Sequence, residues 1–218
     1  RNTQPEIENQ MRSESTTSKD DRGKAAASSK PDPAGMKLIS YLLQYPDDAF
    51  LAELTDLKAV IDRWPDASVR RSLQSFCAYL METAPLNVQE AYTAAFDLNP
   101  ETSLNLTYHR WGDDEKRGRI LAQLLQIYDQ AGYACDGSEL PDHLALVLEF
   151  CALQPRWADD ALLVGILEVL GPLAQRLTAF ESPYARVIEG AVHLLTSGAV
   201  FPTETTPTSP NDRSESSP

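Results

Sequence analysis

The sequence predicts an all-α protein: a single globular bundle of seven to eight helices between disordered polar N- and C-terminal tails. Three observations lead there. Apolar residues recur at spacings of three and four through the middle of the chain, and no segment alternates with the period of two that a strand needs. Pro, Gly and Asp punctuate those stripes where helices begin and end. Finally, 218 residues with 42% apolar content suffice for one ordinary core. No repeat of fixed period appears, which disfavours a solenoid.

Residues 1 to 34 are Ser, Thr, Gln, Asp, Lys and Pro with few apolar side chains. They bury too little surface to offset their chain entropy, so a disordered tail is expected, closed by Lys30-Pro31-Asp32-Pro33. A second tail is expected over 202–218, leaving a helical domain over 36–198. The first helix runs from Met36 to Tyr45 and stops at Pro46. Asp47 or Asp48 caps the next, which carries Phe50, Leu51, Leu54, Leu57, Val60, Ile61 and Trp64 as far as Pro65. Asp66 or Ser68 starts the third, with Val69, Leu73, Phe76, Cys77 and Leu80 on one face. Pro85 opens the fourth, with Val88, Tyr92, Ala95 and Phe96 inward, and a loop follows to Gly112. The fifth starts at Asp113 or Asp114 and ends at Gly132. Pro141 opens the sixth at its first turn, and Pro155 ends it. The seventh, from about Asp159 to Phe180, has so wide an apolar arc that it should be buried on several sides. The last begins at Ser182 or Pro183 and runs to about Ser197.

Charge limits the partners. The chain carries 19 Lys and Arg against 32 Asp and Glu, a net −13. Residues 36–198 alone hold 12 against 23, so the acidity belongs to the folded surface. Such a surface repels phosphate, which argues against nucleic acid and against stable binding to an anionic membrane. Basic peptides remain suitable partners. Three cysteines, Cys77, Cys135 and Cys151, make no disulfide framework and no C-x-x-C pair. With no secretory signal and no run of transmembrane length, a cytoplasmic protein with reduced thiols is expected.

No catalytic motif is present: no G-x-S-x-G, no phosphate loop and no paired histidines at metal-binding spacing. Catalytic residues, metal sites and cofactors are therefore expected to be absent. Asp113-Asp114-Glu115 and Asp159-Asp160 read as helix-start acids, complementing the positive end of a dipole. Cys77 and Cys151 fall on apolar faces, where a thiol behaves as a small hydrophobe.

Two stretches are denser than packing requires. Leu104 to Asp113 sets Tyr108, His109, Arg110 and Trp111 on a loop, and this mixture of apolar area and polar tips suits recognition. Gly112 permits the turn, Asp113 caps, and Gly118 within the next helix implies close approach of another segment. The second stretch is Glu139-Leu140-Pro141-Asp142-His143.

The order Tyr45-Pro46, Phe96-Asp97, L-T-Y-H-x-x-G-D over Leu106 to Asp113, Arg117-Gly118, Tyr128 to Gly132, and E-L-P-D-H resembles the delta subunits of respiratory nitrate reductase. These are NarJ-type molybdenum-enzyme assembly chaperones, within the wider redox enzyme maturation chaperones. The likeness spans about 160 residues. It implies an all-helical cytoplasmic chaperone without catalysis. Its partner would be the N-terminal segment of the nitrate reductase alpha subunit, held before molybdenum cofactor insertion and membrane attachment, with the cofactor-insertion machinery as a further partner. The same fold serving a sulfoxide, amine-oxide or selenate reductase is the alternative, and a small helical enzyme a remote one. The resemblance carries peptide binding onto Tyr108, His109, Trp111, Asp113, Glu139, Asp142 and His143, and structural roles onto Tyr45, Pro46, Gly112, Arg117, Gly118 and Pro141. Glu139 and Asp142 are expected to meet client Lys or Arg. Tyr108 and Trp111 would supply apolar anchors, and His109 and His143 would tune release through charge change near neutral pH. Arg117 is expected to pair internally with Asp113, four residues back.

Overall fold

The computed structural model describes residues 32–135 and 137–198. The two tail expectations thus fall almost wholly outside the described residues. The one described overlap moves the boundary: Asp32 accepts a hydrogen bond from Ala34 N and caps α1 (Pro33–Leu42), so the first helix begins where the tail was expected to close. The all-α expectation holds, and no strand forms among the described residues beyond an isolated antiparallel bridge between Asn105 and His143.

Acidic caps set several helix starts, as read from the sequence. Asp47 caps α2 (Asp48–Ala52), Asp66 caps α4 (Ala67–Glu82), Asp114 caps α7 (Glu115–Gln130) and Asp160 caps α9 (Ala161–Leu167), each carboxylate accepting from backbone N–H groups of the first turn. Asp113, expected as a possible cap, is exposed and lies outside α7. Pro85 opens α5 (Pro85–Phe96), and the expected loop down to Gly112 is interrupted by a one-turn helix, α6 (Tyr108–Trp111).

Two helices expected to be continuous are broken. The stretch after Asp47 divides at Glu53, leaving α3 (Leu54–Asp62) separate. The stretch from Asp159 divides between α9 and α10 (Leu170–Ala179). Pro172 explains the second break, since it has no N–H to give the carbonyl four residues back and its ring clashes there. Taken together, Ala161–Ala179 is long and apolar enough to cross a membrane by length and composition, contrary to the sequence expectation, although only a third of it is buried. It is not enclosed on several sides either: Leu163, Ile166, Leu170, Leu173 and Leu177 face the core, while Pro172, Gln175 and Phe180 are exposed.

Pro141 does not open a helix. It sits in the turn before α8 (Leu144–Leu153), whose cap position is His143. Its carbonyl accepts a hydrogen bond from the buried Tyr128 hydroxyl at 2.7 Å.

The core is built by α1 against α8, and by α11 (Ala185–Gly198) against α1, α4 and α10. Gly35 lets α1 approach α11, since a Cβ there would lie 2.5 Å from a Leu194 methyl and 2.9 Å from the Trp64 ring. An aromatic cluster runs outward from this core. Tyr184 contacts Phe76, Phe96 and Tyr92 at centroid distances of 4.9, 5.0 and 5.6 Å, and Tyr92 meets Tyr45 edge-on at 5.4 Å. Cys77 and Cys151 are buried, and burial pushes both thiols up, Cys151 to about 12.

Gly35→Val is expected to wedge α1 from α11 and cost about 1–3 kcal/mol, the usual range for overpacking. Urea unfolding followed by circular dichroism checks this; an unchanged midpoint would show that the close approach carries no weight.

Candidate functional site

The two motif stretches are clasped to each other at their backbones. Leu106 N donates to Asp142 O at 3.1 Å, and Leu144 N donates to Leu104 O at 2.9 Å, on either side of the Asn105–His143 bridge. The Asp142 side chain, 0% exposed, completes the clasp. Its Oδ2 accepts from Thr107 N at 3.0 Å and from the Thr107 hydroxyl. Arg117 reaches the same pair, with Nε donating to Thr107 Oγ1 at 3.1 Å and Nη2 lying 3.7 Å from Asp142 Oδ2. The Arg117 guanidinium also covers the Tyr108 ring at 5.5 Å.

This overturns three expectations. Asp142 is not on an exposed acidic rim for client cations: its carboxylate is wholly buried, with Oδ2 engaged by Thr107 and Arg117 and Oδ1 left without a hydrogen-bond partner among the described residues. Arg117 pairs with Asp142 and Thr107 rather than Asp113, which precedes α7 and does not share its face. Gly118 admits no close neighbour: a Cβ there would meet nothing within 4 Å. Gly112 and Gly132 do serve as turns, at φ values of 53° and 71°.

Beside the clasp lie two adjoining cavities of about 620 and 500 Å³. Both are lined by Phe96, Asp97, Ser103 and Asn105, so they form one trough. The larger adds Tyr45, Tyr92, Tyr133, Glu139, His143 and Glu149; the smaller adds Tyr108, Arg117 and Leu140. Most pieces of the spaced motif, far apart in sequence, thus meet at one place. Tyr45 is 48% and Leu140 42% exposed, offering apolar surface at its rim. His143 is 9% exposed, and Nδ1 has no hydrogen-bond partner among the described residues. Burial holds its pKa below the ordinary value, against the pull of nearby Glu139, Asp142 and Asp97.

His109 and Trp111 line neither cavity. His109 is tied down on both ring nitrogens. The Ser103 carbonyl, 2.8 Å from Nε2, can only accept, so Nε2 carries the proton. Nδ1 then accepts from Arg176 Nη1 at 2.9 Å. Burial first, and the Arg176 charge as well, hold this imidazole below its usual pKa. Trp111 packs against the core with Arg110 over its ring at 5.2 Å. Asp113 stands exposed away from the trough. Pro46 offers its carbonyl to Gln89 Nε2. Sequence reasoning missed Tyr92, Asn105, Thr107, Tyr133 and Glu149 as parts of this region. Asn105 and Thr107 did fall within the dense Leu104–Asp113 stretch and Asp97 within the motif order, whereas Tyr92, Tyr133 and Glu149 carried no signal for the site.

Gly118→Ala is expected to stabilise by up to about 1 kcal/mol, the helix-propensity difference with no clash to oppose it. Asp142→Ala is expected to destabilise by about 3–5 kcal/mol by stranding Arg117 and the Thr107 donors, whereas Glu139→Gln leaves the melting temperature unmoved. Both depressed histidines make stability pH-dependent in one direction. Above about pH 6.5 folded and unfolded states are both neutral there; as pH falls, the unfolded state takes up protons first and stability declines. Urea midpoints at pH 7.5 and 5.5 test this, and His109→Gln should flatten the difference.

Comparison with known proteins follows the same lines. A family model described as nitrate reductase delta subunit matches residues 63–187. The nitrate reductase molybdenum cofactor assembly chaperone NarJ of Escherichia coli strain K12 is 35% identical over 151 residues, covering 68% of this chain and 64% of that one. A Bacillus subtilis strain 168 protein with the same NarJ designation is 34% identical over 150 residues, covering 69% of this chain and 82% of its own. In fold, the crystal structure of a protein from Archaeoglobus fulgidus, described as a redox enzyme maturation protein, matches with a TM-score of 0.52 at 18% identity, over 74% of this chain and 93% of that chain.

Proposed function

The chain belongs to the nitrate reductase delta subunit family, and from that premise we propose that it is a cytoplasmic assembly chaperone of nitrate reductase that catalyses no reaction itself. It binds the N-terminal segment of the alpha subunit in the trough, and holds that subunit until the molybdenum cofactor has been inserted and membrane attachment can follow. The observation that carries this reading is the convergence of Tyr45, Phe96-Asp97, Tyr108, Glu139, Leu140 and His143 on one open trough with an aromatic floor.

The chemistry suits a basic amphipathic segment. Its apolar side chains would cover the exposed Tyr45 and Leu140 and the half-buried Tyr108, and burial at about 25 cal/mol per Å² adds to the affinity. Asp97 and Glu139 are exposed at the edge and steer a cationic segment into register. Exposed charge pairs add only about 0–1 kcal/mol each, so the complex can be specific without becoming permanent. The clasp fixes the trough before the client arrives, which lowers the ordering cost on the chaperone's side.

Calorimetry with a synthetic peptide of the alpha-subunit N-terminus tests the reading. Micromolar or tighter binding is expected, weakened at least tenfold by Leu140→Ser. No heat at tens of micromolar peptide in low salt would count decisively against it.

A further inference from the structure

We propose that the larger cavity is an arginine pocket, taking the guanidinium of one arginine from the client segment; this rests on the peptide-binding reading above and names what that site recognises. The argument begins with the hydrogen-bonding inventory. Asp97 and Glu139 bring carboxylates to the cavity, and neither makes an ion pair among the described residues. Asn105 Oδ1 and His143 Nδ1 are buried without hydrogen-bond partners among the described residues, both residues line the same space, and in the tautomer that holds its proton on Nε2 the imidazole presents Nδ1 as an acceptor. His143 is more than nine-tenths buried, so its unpaired nitrogen is an unmet demand of the fold and not a solvated surface group. With Nδ1 unprotonated, every one of these four groups accepts.

A ligand that only donates answers such a set. Guanidinium has five N–H donors in a rigid plane and no acceptor. Lysine ammonium has three donors and no flat face. The walls favour the flat cation, because Tyr45, Tyr92 and Phe96 border the cavity and the exposed Tyr45 ring offers a face for stacking. Among the described residues no lysine or arginine lines this cavity; the third carboxylate there, Glu149, already pairs with Lys37. A metal ion fits less well, since no group of three His, Cys, Asp or Glu among the described residues is placed to hold one. A volume of about 620 Å³ accommodates an arginine side chain together with a flanking apolar residue.

The test uses the full chain and a synthetic peptide of the first twenty or so residues of the alpha subunit, compared with versions in which each arginine is replaced by citrulline or lysine. Calorimetry is expected to find one position where citrulline weakens binding roughly ten- to a hundredfold and where lysine does not fully restore it. In the double variant Asp97→Asn with Glu139→Gln that discrimination should disappear, while the thermal melt stays as in the parent. Independently of any variant, the His143 imidazole nitrogen resonance should shift with the arginine peptide and not with its citrulline counterpart. Tight binding with no sensitive arginine, full rescue by lysine, or equal discrimination by parent and variant would overturn the pocket and leave the trough reading standing. Failure of the parent peptide to bind at all would remove both.

Discussion

A buried carboxylate organises the recognition face. Asp142 gathers the Thr107 amide, the Thr107 hydroxyl and the Arg117 guanidinium around one oxygen, although Thr107 lies 35 residues away in sequence. In a low-dielectric interior such a network is either well satisfied or costly. Here the cost of burying the charge is offset by placing donors from two other segments on it. The consequence is geometric. With Asp142 pinned inward, its neighbours Glu139 and Leu140 are thrown outward at the trough edge, and His143 is turned into the cavity wall. On the opposite strand of the clasp, Thr107 is drawn in and Tyr108 is left beside the smaller cavity under the Arg117 guanidinium.

The floor of the trough rests on a second constraint. Tyr92 and Phe96 project from α5 onto Tyr184, which itself packs on Phe76 in the core. Rings locked edge-to-face to one another cannot swing up to fill the space above them. Tyr92 adds a hydrogen bond from its hydroxyl to Leu43 O, so its polar tip is satisfied within the protein. The trough therefore keeps a fixed shape, with buried rings beneath a lining that exposes both polar and apolar groups. That condition limits the ordering cost of binding to the partner.

How much of this the sequence disclosed follows from what each residue's neighbours along the chain reveal. Caps and stripes are local, so Asp47, Asp66, Asp114 and Asp160 were legible as helix starts. Breaks inside an apolar stripe were not, because periodicity continues across Glu53 and across Val169 even where the backbone departs from the helix. Pro141 looked like a helix opener because its missing N–H is equally at home in a turn. Glu139 and Asp142 looked alike as acids of one motif, yet one is exposed and the other wholly buried. Only the position of Thr107 and Arg117 in space separates them. The motif order brought together Tyr45, Phe96-Asp97, Tyr108 and His143, which meet at the trough, whereas His109 is held by Ser103 and Arg176 and Trp111 packs on the core, so neither lines a cavity.

The distribution of charge adds a final step. An excess of acids spread over the whole folded surface raises the encounter rate with a basic segment but cannot choose its register, because a diffuse field is nearly the same for every pose and is screened within about 10 Å at ordinary salt. Register needs contacts that only one pose satisfies. The trough supplies those by combining a fixed aromatic floor with acceptors held at set positions by the clasp. In the proposed complex, steering and selection thus fall to different residues, and the selecting ones are few. A surface acid away from the trough can be lost with little change in what is recognised, whereas a shift of the Thr107–Asp142 contact would displace Asn105 and His143 together and alter the site as a unit.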